Sequence, residues 1–296
     1  MGLQELVQQA INGLSLGSTY ALLALGLAMV FSIMGLINFA HGDLLVVGGY
    51  TIWVLREWVV PWVLVIPLTL AATTFAAVAM ERIAFRPLRG ADQTTLLLTS
   101  FAVSFFLENA FGIGISVRPQ GIVVPDWTVN VINVGEFSVP LLQIATAAIT
   151  FACLAALGIF LKRSLLGISM RAAAEDFSIT RLMGVSADRV IVAAFAISGL
   201  LAGVATLLHI ARAASVDPTA GLNPMIKAFI AVIIGGLGNL SGAVAGGFLL
   251  GFIEVILQAI LPQSALPFRD AFALVLLIAI LLARPQGLLG KKQAAS

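Results

Sequence analysis

Nine apolar runs dominate the chain, at about residues 9–33, 38–56, 59–80, 94–115, 138–161, 190–211, 224–239, 241–261 and 268–283. A helix crosses the ~30 Å hydrocarbon core of a bilayer in ~20 mostly apolar residues, at about 1.5 Å per residue. Seven of the runs have that length; 224–239 and 268–283 are short, and 224–239 reads either as a crossing or as a half-helix. The expected fold is therefore an all-α polytopic membrane protein. It has eight to nine transmembrane helices, includes broken or half helices and an internal repeat, and forms one transmembrane domain over 1–296. Composition points to the same solvent. Of 296 residues 60% are hydrophobic and 10% charged, against about a quarter charged in soluble domains, and the mean hydropathy is +1.08. A net charge of +2 gives no footprint for nucleic acid. The single cysteine, Cys153, lies inside an apolar run, which excludes a disulfide framework and a thiolate metal site. The amino-terminus has no basic segment ahead of the first run, so that run is read as mature sequence.

Lysine and arginine stay on the cytoplasmic side of short membrane loops. The link at 81–92 carries Arg82, Arg86 and Arg89; the link at 162–190 carries Lys162, Arg163, Arg171, Arg181 and Arg189; the tail carries Arg284, Lys291 and Lys292. The opposite side keeps Arg56, Arg118, Arg212 and Arg269. Placing the three basic regions inside gives nine crossings, with the amino-terminus periplasmic and the carboxyl-terminus cytoplasmic. The polar link at 116–138, with Pro119, Pro125, Asp126, Trp127, Asn130 and Glu136, then faces outward. It is either a solvated loop or a small cap on which an external partner docks.

Two stretches some 200 residues apart resemble each other. Gly35-Leu-Ile-Asn38-Phe-Ala-His41-Gly42 precedes Gly48-Gly49-Tyr50, and Gly236-Leu-Gly-Asn239-Leu-Ser241-Gly242 precedes Gly246-Gly247-Phe248. Each lies between two apolar segments, and paired interruptions of this kind mark translocation sites built from broken helices. Asp43 is the expected N-cap of a helix starting near Leu44, and Ser241 of its counterpart; the freed N–H groups and the positive helix end would meet a carboxylate. Equally open is a pair of tight turns whose glycines let packed helices approach. The candidate pathway residues are Asn38, His41, Gly42, Asp43, Asn239, Ser241 and Glu254.

Ionisable groups inside apolar runs are costly and usually functional. Glu108, Lys227 and Glu254 qualify. A Glu–Lys contact would account for two of them; alternatively Glu254 lines the pathway or meets a second membrane subunit. His41, beside Gly42 at a helix break, is expected to be a hydrogen-bonded structural residue, and His209 to be interfacial. The two histidines sit far apart with no ligand cluster, and no Ser-His-Asp or paired-carboxylate arrangement stands out, so neither a metal site nor an enzyme is expected. No G-x-x-x-x-G-K-[ST] loop is present. Any ATP that powers transport must be hydrolysed by another polypeptide.

In the link at 162–190, Ala172 to Met183 suits one short amphipathic helix with Phe177, Ile179, Leu182 and Met183 as apolar anchors. Gly184 would end it as the C′ residue, and Ser186 would cap the next membrane helix. Such a helix suits insertion into a groove on a partner, or lies against headgroups.

Four motifs in order carry a family resemblance: Ile37-Asn38-Phe39-Ala40-His41-Gly42-Asp43; Glu81-Arg82-Ile-Ala-Phe-Arg86-Pro87; Arg171-Ala-Ala-Ala-Glu175-Asp176 with Leu182-Met-Gly184-Val185 and Asp188-Arg189-Val190; and Lys227-Ala228-Phe229 with Gly235-Gly236-Leu-Gly238. From about Gly13 to Gly290 the chain resembles the LivH-type permeases, membrane subunits of ABC importers for branched-chain (hydrophobic) amino acids. The resemblance implies a multi-pass bacterial inner-membrane protein that binds no cofactor itself, with ATP-Mg on partner subunits. The implied partners are a second homologous permease subunit, two ATP-binding subunits and a periplasmic substrate-binding protein, with the lipid bilayer around them. It also implies that residues 172–185 dock on the ATPase, through Arg171, Ala174, Glu175, Asp176, Leu182, Met183, Gly184 and Val185. The loop departs from the E-A-A-x3-G form of other importers, since Glu175 and Gly184 are nine apart. Relatives that move urea or short amides leave a second substrate class open, and an ion-coupled transporter using Glu108 and Glu254 is the alternative mechanism.

Overall fold

Backbone groups in hydrocarbon must satisfy one another, so apolar runs become helices, and each of the nine runs does contain one. The computed structural model describes residues 3–134, 137–284 and 287–289. Helix α1 (Leu3–Met34) is followed by a 3-10 turn (Phe39–His41), α2 (Asp43–Glu57) and α3 (Trp62–Met80). The last of these continues through a π-helical turn (Glu81–Phe85) and a 3-10 turn (Arg86–Leu88) to α4 (Gln93–Gly114). Then come β1 (Gln120–Gly121), β2 (Val131–Val134), β3 (Phe137–Pro140), α5 (Leu141–Arg163), α6 (Leu165–Glu175), α7 (Phe177–Leu182) and α8 (Ala187–Ala213). The chain closes with β4 (Ser215–Val216), α9 (Leu222–Gly235), α10 (Leu240–Ile260) and α11 (Arg269–Ala283).

Six of these helices are long and apolar enough to cross a membrane: α1, α3, α4, α5, α8 and α10. The expectation of eight to nine spans is thus met by six on length. The other three runs form shorter helices, α2, α9 and α11, of 15, 14 and 15 residues. At about 1.5 Å per residue each covers little over 20 Å. For two of them the physical reason lies at the helix ends. The run at 38–56 spends its first residues on a coil and a 3-10 turn, and the run at 224–239 ends its helix at Gly235, where Gly236 turns to φ +103.

Helix packing is reciprocal. Helix α1 lies antiparallel along α10, and α3 antiparallel along α8. Helix α9 packs on α10 and α1, as α2 packs on α3 and α8, while α1 and α8 meet each other. Exchanging α1–α2–α3 with α8–α9–α10 reproduces the contacts, the pattern of an internal two-fold repeat. Small residues make the crossings close: a Cβ at Gly251 would lie 2.3 Å from the Gly17 Cα, and one at Gly203 2.4 Å from the Thr73 hydroxyl. Buried threonines close their hydroxyls inside the helix, Thr69 onto Val65 O at 2.8 Å and Thr206 onto Ala202 O at 2.8 Å.

The repeat seen in the sequence is a different one. Gly35 (φ +66) and Gly236 (φ +103) both end a helix in conformations that favour glycine, and Asn38 and Asn239 both precede the next helical turn. That likeness is in helix-end chemistry, linking the α1–α2 junction to the α9–α10 junction, whereas the packing repeat relates α1–α2 to α8–α9.

Among the described residues strands appear only in the links between helices. β2 and β3 form an antiparallel hairpin within the polar link at 116–138, and β1 pairs with β4, tying that link to the segment after α8. Glu136 lies outside the described residues.

Candidate functional site

The first helix break is sealed. Asn38, His41 and Asp43 are 2%, 1% and 2% exposed. The His41 Nδ1 lies 3.1 Å from the Ser198 hydroxyl, the structural role expected of it, and its ring fills the space above Gly26. Asp43 does not cap α2: Gly42 is the N-cap and Asp43 the first helical residue, its carboxyl facing Ser104 and Glu108 of α4. Asp43 does not fill the cap role because it has already entered the helix and its carboxyl is turned to α4. Gly42 meets its counterpart in the packing repeat directly. Gly221 caps α9, and a Cβ on either glycine would sit 2.5 or 2.4 Å from the other's carbonyl oxygen. Helices α2 and α9 therefore start back to back, at a contact only glycine permits.

The second break differs in its cap. Asn239, not Ser241, caps α10: its side chain accepts from Gly242 N at 3.0 Å and donates to Leu289 O at 2.7 Å. Asn239 has the extended backbone of an N-cap (φ −103, ψ 108), while Ser241 is already inside the helix.

Glu254 and Lys227 do form the Glu–Lys contact. The Lys227 ammonium reaches both carboxylate oxygens, at 2.9 and 3.0 Å, and Asp270 at 3.3 Å. Glu254, 1% exposed, also accepts from the Tyr20 hydroxyl at 3.1 Å and has Arg269 at 3.8 Å. The lysine lies over the Tyr20 ring, 5.4 Å from its centroid. Charge alternates through this network, Arg269, Glu254, Lys227, Asp270, so each buried charge has an opposite partner. Neither Tyr20 nor Asp270 was singled out in the sequence; Tyr20 lies more than 200 residues from its partner and no local pattern marks it.

Three cavities meet at this network. The first, of about 510 Å³, opens between α1, α5, α8 and α9 under the β-hairpin link, with Tyr20, His209, Arg212, Asp217, Asn223 and Lys227 in its wall. The second, of about 430 Å³, lies between α9, α10 and α11, shares Asn223 and Lys227 with the first and adds Glu254. The third, of about 500 Å³, shares Tyr20, Arg212 and Glu254. Of the seven candidate pathway residues, only Glu254 lines these cavities; Asn38, His41, Gly42, Asp43, Asn239 and Ser241 line none of the three. Among the described residues no group of three or more His, Cys, Asp or Glu stands where it would hold a metal ion.

On the opposite face, the expected single helix from Ala172 to Met183 is two helices, α6 and α7. Ser164 starts α6, accepting from Gly167 N at 2.9 Å. Asp176 breaks the run: its extended backbone (φ −151) and its carboxylate, which accepts from Ile179 N at 2.9 Å, recap the chain as α7. Gly184, at φ +84, ends α7 as expected. Its amide donates to Arg181 O at 3.1 Å and that of Val185 to Thr180 O at 3.4 Å, a Schellman closure. Ser186 occupies the N-cap position of α8 without making the side-chain bond. Of the apolar anchors, Phe177 packs on the core together with Val185. Leu182 and Met183 stand 87% and 80% exposed. Arg171, Ala174, Glu175, Asp176 and Gly184 are exposed beside them, and Arg171 Nε donates to Leu161 O at 2.8 Å.

Next to this pair of helices the 81–92 link is clamped to the start of α8. Arg89 bridges the buried Glu81 carboxylate and Asp188, and Arg86 adds a bond to Asp188 at 2.8 Å. In the sequence Arg86 and Arg89 stood out as topology signals, and Arg86 also within the Glu81–Pro87 motif, but neither was paired with Asp188. At the end of the link, the hydroxyl and amide of Thr95 bond to the Asp92 carboxylate, capping α4 and holding its pKa below the usual carboxylate value.

A family model described as the permease component of branched-chain amino acid transport systems matches residues 9–281. The chain is 35% identical to the high-affinity branched-chain amino acid transport system permease protein BraD of Pseudomonas aeruginosa, over 97% of this chain and 96% of that one. It is 33% identical to the corresponding protein LivH of Escherichia coli K12, over the same shares. The ribose import permease protein RbsC of Escherichia coli K12 is 28% identical over 60% of this chain and 50% of its own length. No solved structure gave a match. A multi-pass apolar helical bundle, matched along nearly its whole length to transport permeases, belongs to the branched-chain amino acid transport system permease family.

Proposed function

We propose that this chain is the membrane subunit through which an ATP-driven importer passes branched-chain amino acids into the cytoplasm. The observation that carries the substrate class is the full-length likeness to BraD and LivH. The importer reading also rests on the helix pair α6–α7, whose exposed Leu182 and Met183 give an ATPase groove two apolar side chains to take up. The partners are then two ATP-binding subunits carrying ATP-Mg, a second homologous permease and a periplasmic binding protein. Pairing of Glu254 with Lys227 argues against an ion-coupled transporter, because the carboxylate already has its cation.

The nine-crossing topology fits these contacts. Strand pairing of β1 with β4 puts the ends of α4 and α8 on one side, and the Arg86–Asp188 bond puts the ends of α3 and the start of α8 on the other. With the basic links inside, the first side is periplasmic, the amino-terminus is outside and the carboxyl-terminus inside. Contact of Gly42 with Gly221 supports a reading in which residues 35–42 and 214–221 enter the membrane from opposite faces and meet near its middle. Helices α2 and α9 are then half-helices that complete crossings begun by irregular backbone, tolerated because protein surrounds it. Residues 1–296 act as one transmembrane domain, with the hairpin cap available to a docking binding protein. Because β1 holds β4, movement of the cap is passed to the α8–α9 junction.

The test is a pull-down of this chain from solubilised membranes in a gentle detergent, with the co-purifying subunits identified by mass spectrometry. Two ATPases and a second permease are expected. Recovery of this chain alone would overturn the importer reading.

A further inference from the structure

The cavity beneath the cap holds an unusual distribution of charge. Its one lysine, Lys227, is neutralised by Glu254 and Asp270. Two other ionic groups in its wall are not. Arg212, on the last turn of α8, makes no ion pair among the described residues. Among the described residues the Asp217 carboxylate bonds only to the neutral Thr219, accepting from its amide at 3.0 Å and its hydroxyl at 2.7 Å. Both lie near His209.

Local structure keeps this cation and anion from pairing with each other. Arg212 still follows the helix, while Ala214 turns to φ +51, a left-handed conformation costing a non-glycine residue roughly 1–2 kcal/mol. Strand β4 then leads away to Asp217, whose carboxylate is fixed by its turn with Thr219. The same wall carries the apolar side chains of Leu16, Leu142 and Leu208. At about 510 Å³ the space lies within the ~300–1,000 Å³ range of small-molecule sites.

We propose that this cavity is an entry station for a free α-amino acid held as its zwitterion, the carboxylate on Arg212 and the ammonium on Asp217, with an aliphatic side chain against the leucines. Arginine offers a planar pair of donors that matches a carboxylate, and unmatched charges a short distance apart suit a ligand whose own charges are one carbon apart. A sugar or an amide could hydrogen-bond both groups but would neutralise neither charge. Asn223 and Lys227 line both this cavity and the second, and Lys227 is bound to Glu254, so the station leads to the Glu254 network. The inference rests on the amino-acid reading of the function and adds to it the site at which the substrate is first held by the permease.

The assay is uptake of radiolabelled L-leucine by the assembled importer in proteoliposomes, with saturating loaded binding protein and internal ATP. Arg212→Gln and Asp217→Asn are each expected to slow uptake at least tenfold while the complex still assembles, and Arg212→Lys to recover much of the rate. Wild-type rates in both neutral variants would overturn the station. A variant that failed to assemble is bypassed by a second measurement. Thr19→Cys, in a Cys153→Ser background, is expected to react with a membrane-impermeant charged thiol reagent added outside and to be protected by loaded binding protein. An unreactive cysteine there would equally overturn it. Failure of the functional reading has a separate signature: wild-type importer that moves no branched-chain amino acid at all.

Discussion

Removing one member of the Lys227–Glu254 pair has unequal and non-additive consequences. Lys227→Met leaves Glu254, 1% exposed, with the neutral Tyr20 hydroxyl at 3.1 Å and no cation nearer than Arg269 at 3.8 Å. Leaving a buried charge unpaired costs about 3–5 kcal/mol. Glu254→Met is milder, since Lys227 keeps Asp270 at 3.3 Å and a wall on two cavities, and a loss of about 1–2 kcal/mol is expected on the scale of a weakened charged hydrogen bond. With both residues changed to Met, no charge of the pair is stranded. What remains is the Tyr20 hydroxyl without its acceptor, about 1 kcal/mol where cavity water can replace it. A double-mutant cycle should then give a coupling of at least about 2 kcal/mol, within the range for residues in contact. The assay is SDS-titrated unfolding in mixed micelles followed by fluorescence of the chain's 4 tryptophans. Additivity of the single losses to within about 0.5 kcal/mol would refute the pair as an energetic unit.

Four further outcomes follow from the same contacts. Gly42→Ala or Gly221→Ala is expected to cost about 1–3 kcal/mol by the same unfolding assay, because a Cβ meets backbone 2.5 or 2.4 Å away. Gly158→Ala, with nothing within 4 Å of its Cβ, should be neutral or stabilising. Arg89→Met should lower stability by at least about 3 kcal/mol by stranding the buried Glu81, whereas Arg86→Met, from an exposed pair, should cost under about 1 kcal/mol. Gly184→Pro cannot adopt φ +84 and loses the amide that closes α7. In the reconstituted importer it should separate ATP hydrolysis from uptake while membrane insertion is retained, as should Glu175→Arg with Asp176→Arg.

What the sequence made legible follows from the range of each interaction. Apolar runs located all six helices long and apolar enough to cross a membrane, because burial in lipid is dictated residue by residue. Gly184 was legible as a helix end because a C′ glycine satisfies its own neighbours. Helix starts were less so: at Asp43, Ser241 and Asp176 a polar residue near a boundary has several ways to cap, and one residue of register decides which. Lys227 and Glu254, 27 apart on adjacent helices, could be paired by cost alone. Tyr20, Arg212 and Asp217 could not be assigned a shared cavity, since they come together only when α1, α8 and the α8–α9 junction pack. The reciprocity of α1–α3 with α8–α10 was invisible for the same reason. It resides in which helices touch, whereas the repeated Gly and Asn residues record only similar helix ends.

The most direct test of the account is uptake of radiolabelled leucine, isoleucine and valine into proteoliposomes containing this chain with its co-purified subunits. The account predicts accumulation that requires internal-facing ATP hydrolysis and external binding protein, and that persists when an uncoupler collapses the proton gradient. Uptake that continues without ATP but stops with the uncoupler would contradict it.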